Sequence, residues 1–266
     1  MLTKTAPIGV LDSGVGGLSV LKALKELLPQ EEFIYLGDTA RTPYGSRSEA
    51  QVRQFVGEML DYFDACGAKL VVIACNTLTV LGIDTLQGTH AYRLVGMSKG
   101  VQLAIASTRK KTVGVLATEF TIRTGAHKKE LLAADATVQV VPQACPKFVP
   151  LIEGEGFGTP ELAAAIQEYT TPLRLAGVDT IILSCTHYPF IKKELAAVLP
   201  GVRVLDPAEQ TALDALAILE RDALAKTVAE KGTTTICFTA DVERGRRLAG
   251  KMFATADCRF QLVKLN

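Results

Sequence analysis

The stretch IGVLDSGVGGLSVLKALKELL, residues 8–28, joins an apolar strand to an amphipathic helix through a glycine-rich turn. Ile8 to Leu11 form a short apolar run, as in strands that are buried on both faces. From Leu18 to Leu28 the apolar residues recur at three- and four-residue spacing, which predicts a helix with one buried face. A strand followed directly by such a helix is the building unit of α/β folds with parallel sheets.

The same alternation continues along the rest of the chain. Apolar, β-branched runs predict strands at Phe33 to Leu36, Leu70 to Ala74, Thr112 to Leu116, Val138 to Val141, Thr180 to Leu183 and Val202 to Leu205. Amphipathic spacing predicts helices at Glu49 to Cys66, Pro160 to Leu175 and Pro207 to Ala225. We therefore expect parallel sheets covered by helices, with ligands bound beyond the carboxyl ends of the strands.

Two of these strands are alike. LVVIACNT (residues 70–77) and TIILSCTH (residues 180–187) are both apolar runs that end on a cysteine followed by small polar residues. Two similar lobes would explain the likeness, and a chance match of two short strands would explain it equally well.

Composition excludes several function classes. The chain has 266 residues, 29 of them basic and 28 acidic, with no Trp and 6% aromatic residues, so it offers no strong positive field and little material for stacking on nucleic-acid bases. No apolar run approaches the roughly 20 residues of a membrane helix, and the first residues lack a signal-peptide pattern. We expect a cytoplasmic protein with reduced cysteines, and no metal site because there is no C-x-x-C motif and the three histidines are far apart.

The turn Asp12 to Gly17 precedes a predicted helix, whose free N–H groups suit an anion. A dinucleotide site is one interpretation, because Asp38 ends the next strand where a ribose-binding acid would lie. However, the pattern is G-x-G-G-x-S, and an aspartate directly before it would repel a pyrophosphate. An amino acid fits better, since its carboxylate suits the turn and its ammonium group suits Asp12.

The segment Asp38 to Gly45 follows the second predicted strand. Pro43 restricts the backbone, and Gly45 lets main-chain N–H groups approach a ligand closely. Taken alone, the segment is better explained as an ordinary surface loop.

Cys75 and Cys185 stand apart from the other cysteines. Each ends a predicted strand at the start of a predicted helix, a position that lowers a thiol's pKa, and His187 lies close to Cys185. Two thiols without a metal or cofactor motif point to a racemase, which removes a proton from one face of a carbon and returns one to the other. A hydrolase would need only one nucleophile.

The blocks GVLDSGVGGLSV, YLGDTARTPYGSRS, VVIACNT and SCTHYP resemble, in order and spacing, the signature blocks of the glutamate racemases in the aspartate/glutamate racemase superfamily. The similarity extends from about Ile8 to Asp206. It implies two pseudo-symmetric α/β lobes, each a mostly parallel sheet flanked by helices, with the active site in the cleft between them. Residues 1–97 and 207–266 would form the first lobe and residues 98–206 the second. It also implies a homodimeric isomerase that interconverts L- and D-glutamate without a cofactor and supplies D-glutamate for peptidoglycan, the cell wall and cell shape.

The resemblance also implies residue roles. Cys75 and Cys185 would transfer the protons, supported by Asp12 and His187 respectively, and Glu153 would be a further polar residue of the site. The residues implied for the amino-acid head group are Asp12, Ser13, Asn76, Thr77, Thr186 and His187. Those implied for the distal carboxylate are Pro43, Tyr44 and Gly45. The sequence departs from the family pattern at Leu78, Ser184 and Met97 to Gly100.

Other functions remain open at this point. Within the superfamily the alternatives are an aspartate racemase or another two-cysteine isomerase. Outside catalysis they are an amino-acid sensor that kept the pocket, and redox sensing through a disulfide between Cys75 and Cys185. The last would require the thiols to close on each other, whereas a racemase must keep them a substrate carbon apart.

Overall fold

A computed structural model describes residues 2–44, 47–82, 86, 88–228 and 230–265. The chain divides into two compact units, Met1–Met97 with Ala208–Asn266 (unit 1) and Ser98–Pro207 (unit 2). Among the described residues, no helix is both long enough and apolar enough to cross a membrane.

Unit 1 is built on a six-stranded parallel sheet with the order β10-β9-β2-β1-β3-β4. Its strands are β1 (Ile8–Asp12), β2 (Phe33–Gly37), β3 (Leu70–Ile73), β4 (Arg93–Gly96), β9 (Thr234–Phe238) and β10 (Cys258–Leu262). Its helices are α1 (Leu18–Leu27), α2 (Glu49–Ala65), α3 (Asn76–Val80), α10 (Ala208–Arg221) and α11 (Val242–Met252). Every residue of β1 is buried, as expected for a central parallel strand covered on both faces.

Local signals in the sequence fix the ends of several elements in unit 1. Ser48 begins α2 with a capping box, in which its side chain accepts a hydrogen bond from the Gln51 backbone and the Gln51 side chain accepts one from the Ser48 backbone. At the end of β2, a Cβ on Gly37 would lie 2.1 Å from the carbonyl oxygen of Gly14, so only glycine fits. The Tyr35 hydroxyl donates to the same carbonyl at 2.8 Å. The turn after β1 is therefore held against β2.

Unit 2 is built on a four-stranded parallel sheet with the order β6-β5-β7-β8. Its strands are β5 (Thr112–Ala117), β6 (Gln139–Ala144), β7 (Thr180–Ser184) and β8 (Arg203–Leu205). Its helices are α4 (Val101–Ser107), α5 (Glu119–Thr124), α6 (Ala126–Ala134), α7 (Phe148–Glu153), α8 (Pro160–Leu175) and α9 (Lys192–Val198), with a 3-10 turn at Tyr188–Ile191 before α9.

The core of unit 2 lies on both faces of its sheet. Ile181 and Leu183 of β7 belong to one buried cluster, whereas Ile182 belongs to the other. Successive side chains of a strand point to opposite faces, so the two clusters mark the two faces. Cys185 belongs to the first cluster, together with residues of α7 and α8.

The predicted fold class, α/β with parallel sheets flanked by helices, is confirmed. The differences concern the sheet edges and one inner strand of unit 1. The predicted strand at Val138 to Val141 is Gln139–Ala144, and the strands Arg93–Gly96, Thr234–Phe238 and Cys258–Leu262 were not predicted. The predicted helix at Pro207 to Ala225 is shorter, Ala208–Arg221.

Candidate active site

The carboxyl ends of β1 and β3 bring Asp12, Ser13 and Cys75 together in unit 1. Leu11 pairs with Ile73, so the residues that follow these strands emerge at the same edge of the sheet. The Ser13 hydroxyl lies 3.6 Å from the Cys75 Sγ, and Asp12 Oδ1 accepts a hydrogen bond from the Gly14 backbone at 2.8 Å. All three predicted residues are buried.

Close packing keeps this edge compact. A Cβ on Gly17, at the start of α1, would lie 2.8 Å from the Asp12 Cβ and 2.9 Å from the Ala74 Cβ. Glycine at this position therefore lets α1 pack closely against the ends of β1 and β3. The predicted glycine-rich turn thus serves contact between helix and strand.

Asn76 and Thr77 begin α3 directly after Cys75, and both are buried. The Nδ2 of Asn76 is a buried donor with no hydrogen-bond partner in the part of the chain that the structure describes. An unpaired buried donor is costly, so a bound acceptor at this position would stabilise the site. Leu78, one of the departures from the family pattern, is buried in the core of unit 1.

The segment predicted for the distal carboxylate is only partly described. Pro43 is exposed and Tyr44 is buried, whereas Gly45 lies outside the described residues. The Tyr44 hydroxyl donates to the Asp38 carboxylate. Burial, followed by the charge of Asp38, raises the pKa of Tyr44 above its usual range, so the phenol stays protonated.

In unit 2, Cys185 follows β7 and contacts His187, which in turn contacts Glu153 of α7. Cys185 Sγ lies 3.9 Å from His187 Nδ1, and His187 Nε2 lies 2.8 Å from Glu153 Oε1. Thr186 is buried beside them. The structure therefore brings together all four residues predicted in this unit, including Glu153, although it is far from the others in sequence.

The electrostatics of this group favour a charged imidazole. Burial lowers the pKa of His187, but its hydrogen bonds with Cys185 and Glu153 raise it more, and the result lies well above the usual value. A protonated imidazole beside a thiol stabilises the thiolate. We refer to Glu153, Cys185, Thr186 and His187 as the Cys185 half-site, and to Asp12, Ser13, Cys75, Asn76 and Thr77 as the Cys75 half-site.

Ser184 hydrogen-bonds to a buried residue that sequence reasoning missed. Its hydroxyl lies 2.5 Å from the Nε2 of His127 on α6. Burial lowers the pKa of His127 to about 4, so this imidazole is neutral near pH 7. The departure from the family pattern at Ser184 thus has a polar partner 57 residues earlier in the chain, and no local pattern marks that pairing.

Burial raises the pKa of each of the other four cysteine thiols, Cys66, Cys145, Cys237 and Cys258. Their thiolates are disfavoured. By contrast, the Cys185 Sγ lies beside the Nδ1 of His187.

One group of potential metal ligands occurs among the described residues, namely Asp61, Asp64 and His90, whose ligand atoms lie within 4.8 Å of one another. Both aspartates are exposed on α2, and His90 Nδ1 pairs with Asp64. None of the three is a predicted site residue, and a surface hydrogen bond between His90 and Asp64 accounts for the arrangement.

Comparisons with known proteins agree with the resemblance. Residues 8–215 match the model of the Asp/Glu/Hydantoin racemase family. The chain is 43% identical over 216 residues to the glutamate racemase of Lysinibacillus sphaericus strain C3-41, covering 80% of this chain and 82% of that protein. It is 41% identical over 249 residues to the glutamate racemase of Geobacter metallireducens, covering 92% of each.

Solved structures give the same result. A glutamate racemase isoform from Bacillus anthracis matches with a TM-score of 0.89 at 32% identity, over 98% of each chain. Glutamate racemase from Francisella tularensis in complex with D-glutamate matches with a TM-score of 0.86 at 29% identity, over 99% of each chain. The chain therefore belongs to the Asp/Glu/Hydantoin racemase family and, within it, to the glutamate racemases.

Proposed function

We propose that this protein interconverts L- and D-glutamate without a cofactor, using Cys75 and Cys185 as its two proton-transfer groups. The observation that carries the proposal is the pair of half-sites. In each unit, a buried cysteine lies within two residues of the end of a buried parallel strand and beside a polar partner, Ser13 in one case and His187 in the other.

Two thiols suffice for this reaction. One thiolate removes the α-proton of glutamate, and the other thiol donates a proton to the opposite face, which inverts the carbon. The first cysteine ends as a thiol and the second as a thiolate, so the reverse reaction starts from the state that the forward reaction leaves. Because the products are mirror images, the equilibrium constant is one and nothing else is consumed.

The remaining site residues divide between the two ends of the substrate. Asp12, a buried acid, suits the ammonium group, and the buried Nδ2 of Asn76, which has no hydrogen-bond partner among the described residues, suits the α-carboxylate. We assign Thr77, Thr186 and His187 to the same head group. We assign Pro43, Tyr44 and Gly45 to the distal carboxylate, with the N–H groups of Tyr44 and Gly45 as the main-chain donors, since proline has none. Glu153 acts through His187.

The biological setting follows from the product. We expect D-glutamate to enter peptidoglycan synthesis, in the cytoplasm, and we expect the protein to form a homodimer. Rescue of a bacterial strain that requires D-glutamate would test the first expectation. Light scattering of the purified protein would test the last.

The direct test of the activity is optical. Purified protein without added pyridoxal phosphate should abolish the circular dichroism of pure L-glutamate, and the rate should survive dialysis against EDTA and treatment with hydroxylamine. Loss of activity to EDTA with recovery on adding a divalent ion, or an unchanged optical signal with fresh protein, would refute the proposal.

Side-chain length should matter strongly. Buried donors that seat a distal carboxylate are left unpaired by a ligand that is one methylene shorter. We expect kcat/KM for glutamate to exceed that for aspartate by at least about 10²-fold. Comparable values for the two amino acids would instead indicate an aspartate racemase or a broad-range isomerase.

Removing the charge of Glu153 should move the pH profile. Glu153→Gln takes away one of the two hydrogen-bonding groups that raise the pKa of His187, so the imidazolium should deprotonate at lower pH. The alkaline limb of kcat/KM should therefore shift toward lower pH, with the loss of activity greatest on the alkaline side of the profile. Glu168→Gln is the control, because Glu168 forms only a surface pair with Lys147. An alkaline limb that does not move would contradict the role of Glu153.

A further inference from the structure

Asp38 lies at the centre of a hydrogen-bond network at the carboxyl end of β2. Its side chain is buried, and its Oδ2 accepts from Arg41 Nε at 2.5 Å and from the Tyr44 hydroxyl. Its Oδ1 accepts from Thr239 Oγ1 at 2.8 Å. Three donors from three residues thus converge on one carboxylate, so both of its oxygens are hydrogen-bonded.

The sheet register explains why Asp38 meets Thr239. β2 pairs with β9 so that Gly37 lies opposite Phe238, and the next residue of each strand is Asp38 or Thr239. The contact is reinforced by the backbone N–H of Ala40, which donates to Thr239 Oγ1 at 2.9 Å. The segment that follows β2 is therefore anchored to the end of β9 as well as to the end of β2.

Arg41 fixes the same segment to α2. While its Nε contacts Asp38, its Nη1 forms an ion pair with Glu58, and its guanidinium lies 4.1 Å from the centroid of the Phe55 ring. Both Glu58 and Phe55 are residues of α2. Asp38 and Arg41 together connect the segment to a strand on one side and to a helix on the other.

Tyr44 completes the network from the far end of the segment. Its ring is buried 5.5 Å from that of Phe55, and its hydroxyl lies 3.7 Å from the Met59 Sδ as well as against Asp38. The hydroxyl therefore points into the core of unit 1. What Tyr44 can offer a ligand is its main chain, whose position depends on the bond to Asp38.

We propose that Asp38 is a positioning residue for substrate length, holding the main chain of Tyr44 where its N–H can bind the distal carboxylate. The inference rests on the proposed function and adds to it a determinant that does not touch the substrate. Donors that must distinguish two side chains differing by one methylene need a fixed position, and three hydrogen bonds to a buried carboxylate provide it.

The distal carboxylate is remote from the carbon that reacts, so its binding contributes equally to the ground state and to the transition state. Loosening the segment should therefore raise KM and leave kcat nearly unchanged. A residue that merely stabilised the fold would lower the melting temperature without that selective effect on KM.

The test compares two buried tyrosines of the same unit. Tyr44→Phe removes the bond to Asp38, and Tyr92→Phe removes an equally buried bond, from the Tyr92 hydroxyl to the Leu60 carbonyl at 2.8 Å. We expect Tyr44→Phe to raise KM for glutamate about tenfold, with kcat within about threefold of wild type. Tyr92→Phe should lose a similar amount of thermal stability with KM unchanged. Thr239→Val should shift KM in the same direction as Tyr44→Phe.

A binding measurement provides a second readout. Titration calorimetry with glutarate, which has the distal carboxylate but does not react, should show weaker binding by the same factor in Tyr44→Phe as the rise in KM. Equal KM values in Tyr44→Phe and Tyr92→Phe, or unchanged affinity for glutarate, would overturn the inference. Racemisation of glutamate by the wild-type protein tests the proposed function separately. If Tyr44→Phe is active with a normal KM, the positioning role of Asp38 is refuted and the proposed function is not.

Discussion

Replacing either Cys75 or Cys185 by serine should lower glutamate racemisation by about 10²–10⁴-fold, the range that general acid–base groups contribute. A hydroxyl is far too weakly acidic to act as the thiolate, while the change of one atom leaves the packing almost intact. Both side chains are 6% exposed, so neither substitution uncovers a new surface. The melting temperature should stay close to that of the wild type, which separates chemical loss from unfolding.

The direction of the defect distinguishes a two-base site from a single essential thiol. Each variant retains one competent base, on one face of the substrate. Elimination from a glutamate analogue with a leaving group on the β-carbon should then proceed for one enantiomer in Cys75→Ser and for the other in Cys185→Ser. In D₂O, the wild-type product should carry deuterium at the α-carbon from the first turnovers, while recovered substrate stays largely protiated.

Cys66→Ser and Cys145→Ser are the matched controls, because both thiols lie outside the two half-sites and burial raises the pKa of each. Racemisation should persist in both. Equal damage in a control variant, or the same enantiomer preference in both site variants, would contradict the two-thiol mechanism.

The central strands were predictable because burial on both faces leaves a continuous apolar run. β1, β5 and β7 are buried along their whole length, and the predicted and observed bounds differ by one residue at most. Two edge strands of unit 1 lack such a run and were not predicted: β4 begins with the exposed Arg93, and β10, with the sequence CRFQL, is largely exposed. β6 was predicted from its apolar start, but Pro142 obscured its continuation to Ala144. β9 lies inside the sheet and was also not among the predicted strands, because it begins with two threonines.

The contacts within the two half-sites were predictable only between residues that are close in sequence. Cys185 and His187 are two positions apart, so the motif itself suggests their contact. The bonds from Ser184 to His127 and from Asp38 to Thr239 join residues 57 and 201 positions apart, and only strand register and helix packing create them. The direction of the Tyr44 side chain was equally unpredictable, because a loop motif does not indicate whether the hydroxyl faces a ligand or the core.

Unit 1 also contains a buried ion pair that no sequence motif predicts. Lys69 is fully buried, and its Nζ lies 2.6 Å from Glu31 Oε2 and donates to the carbonyls of Lys4 and Leu224 at 2.7 and 2.9 Å. The other oxygen of Glu31 accepts from the Lys226 backbone at 2.8 Å. The pair therefore joins the residues before β1, the turn before β2 and the segment after α10.

Removing the Lys69 ammonium group should therefore strongly destabilise the protein. Lys69→Met leaves the Glu31 carboxylate buried without its cation, and breaking a buried pair in this way costs about 3–5 kcal/mol in the free energy of unfolding. Burial lowers the pKa of Lys69, and the interactions with Glu31 oppose this effect only in part. Keeping the ammonium group charged in the interior therefore carries a desolvation cost. Adding Glu31→Gln removes the unpaired buried charge and keeps an acceptor for the Lys226 backbone, so the double variant should regain much of the lost stability.

Lys231→Met is the control, because its bond to Asp257 at 2.7 Å has nearly the same length but lies at the surface. Urea denaturation followed by far-ultraviolet circular dichroism measures all three variants. If Lys69→Met unfolds at the same urea concentration as Lys231→Met, or if Glu31→Gln worsens it, the buried pair is not what stabilises this part of the unit.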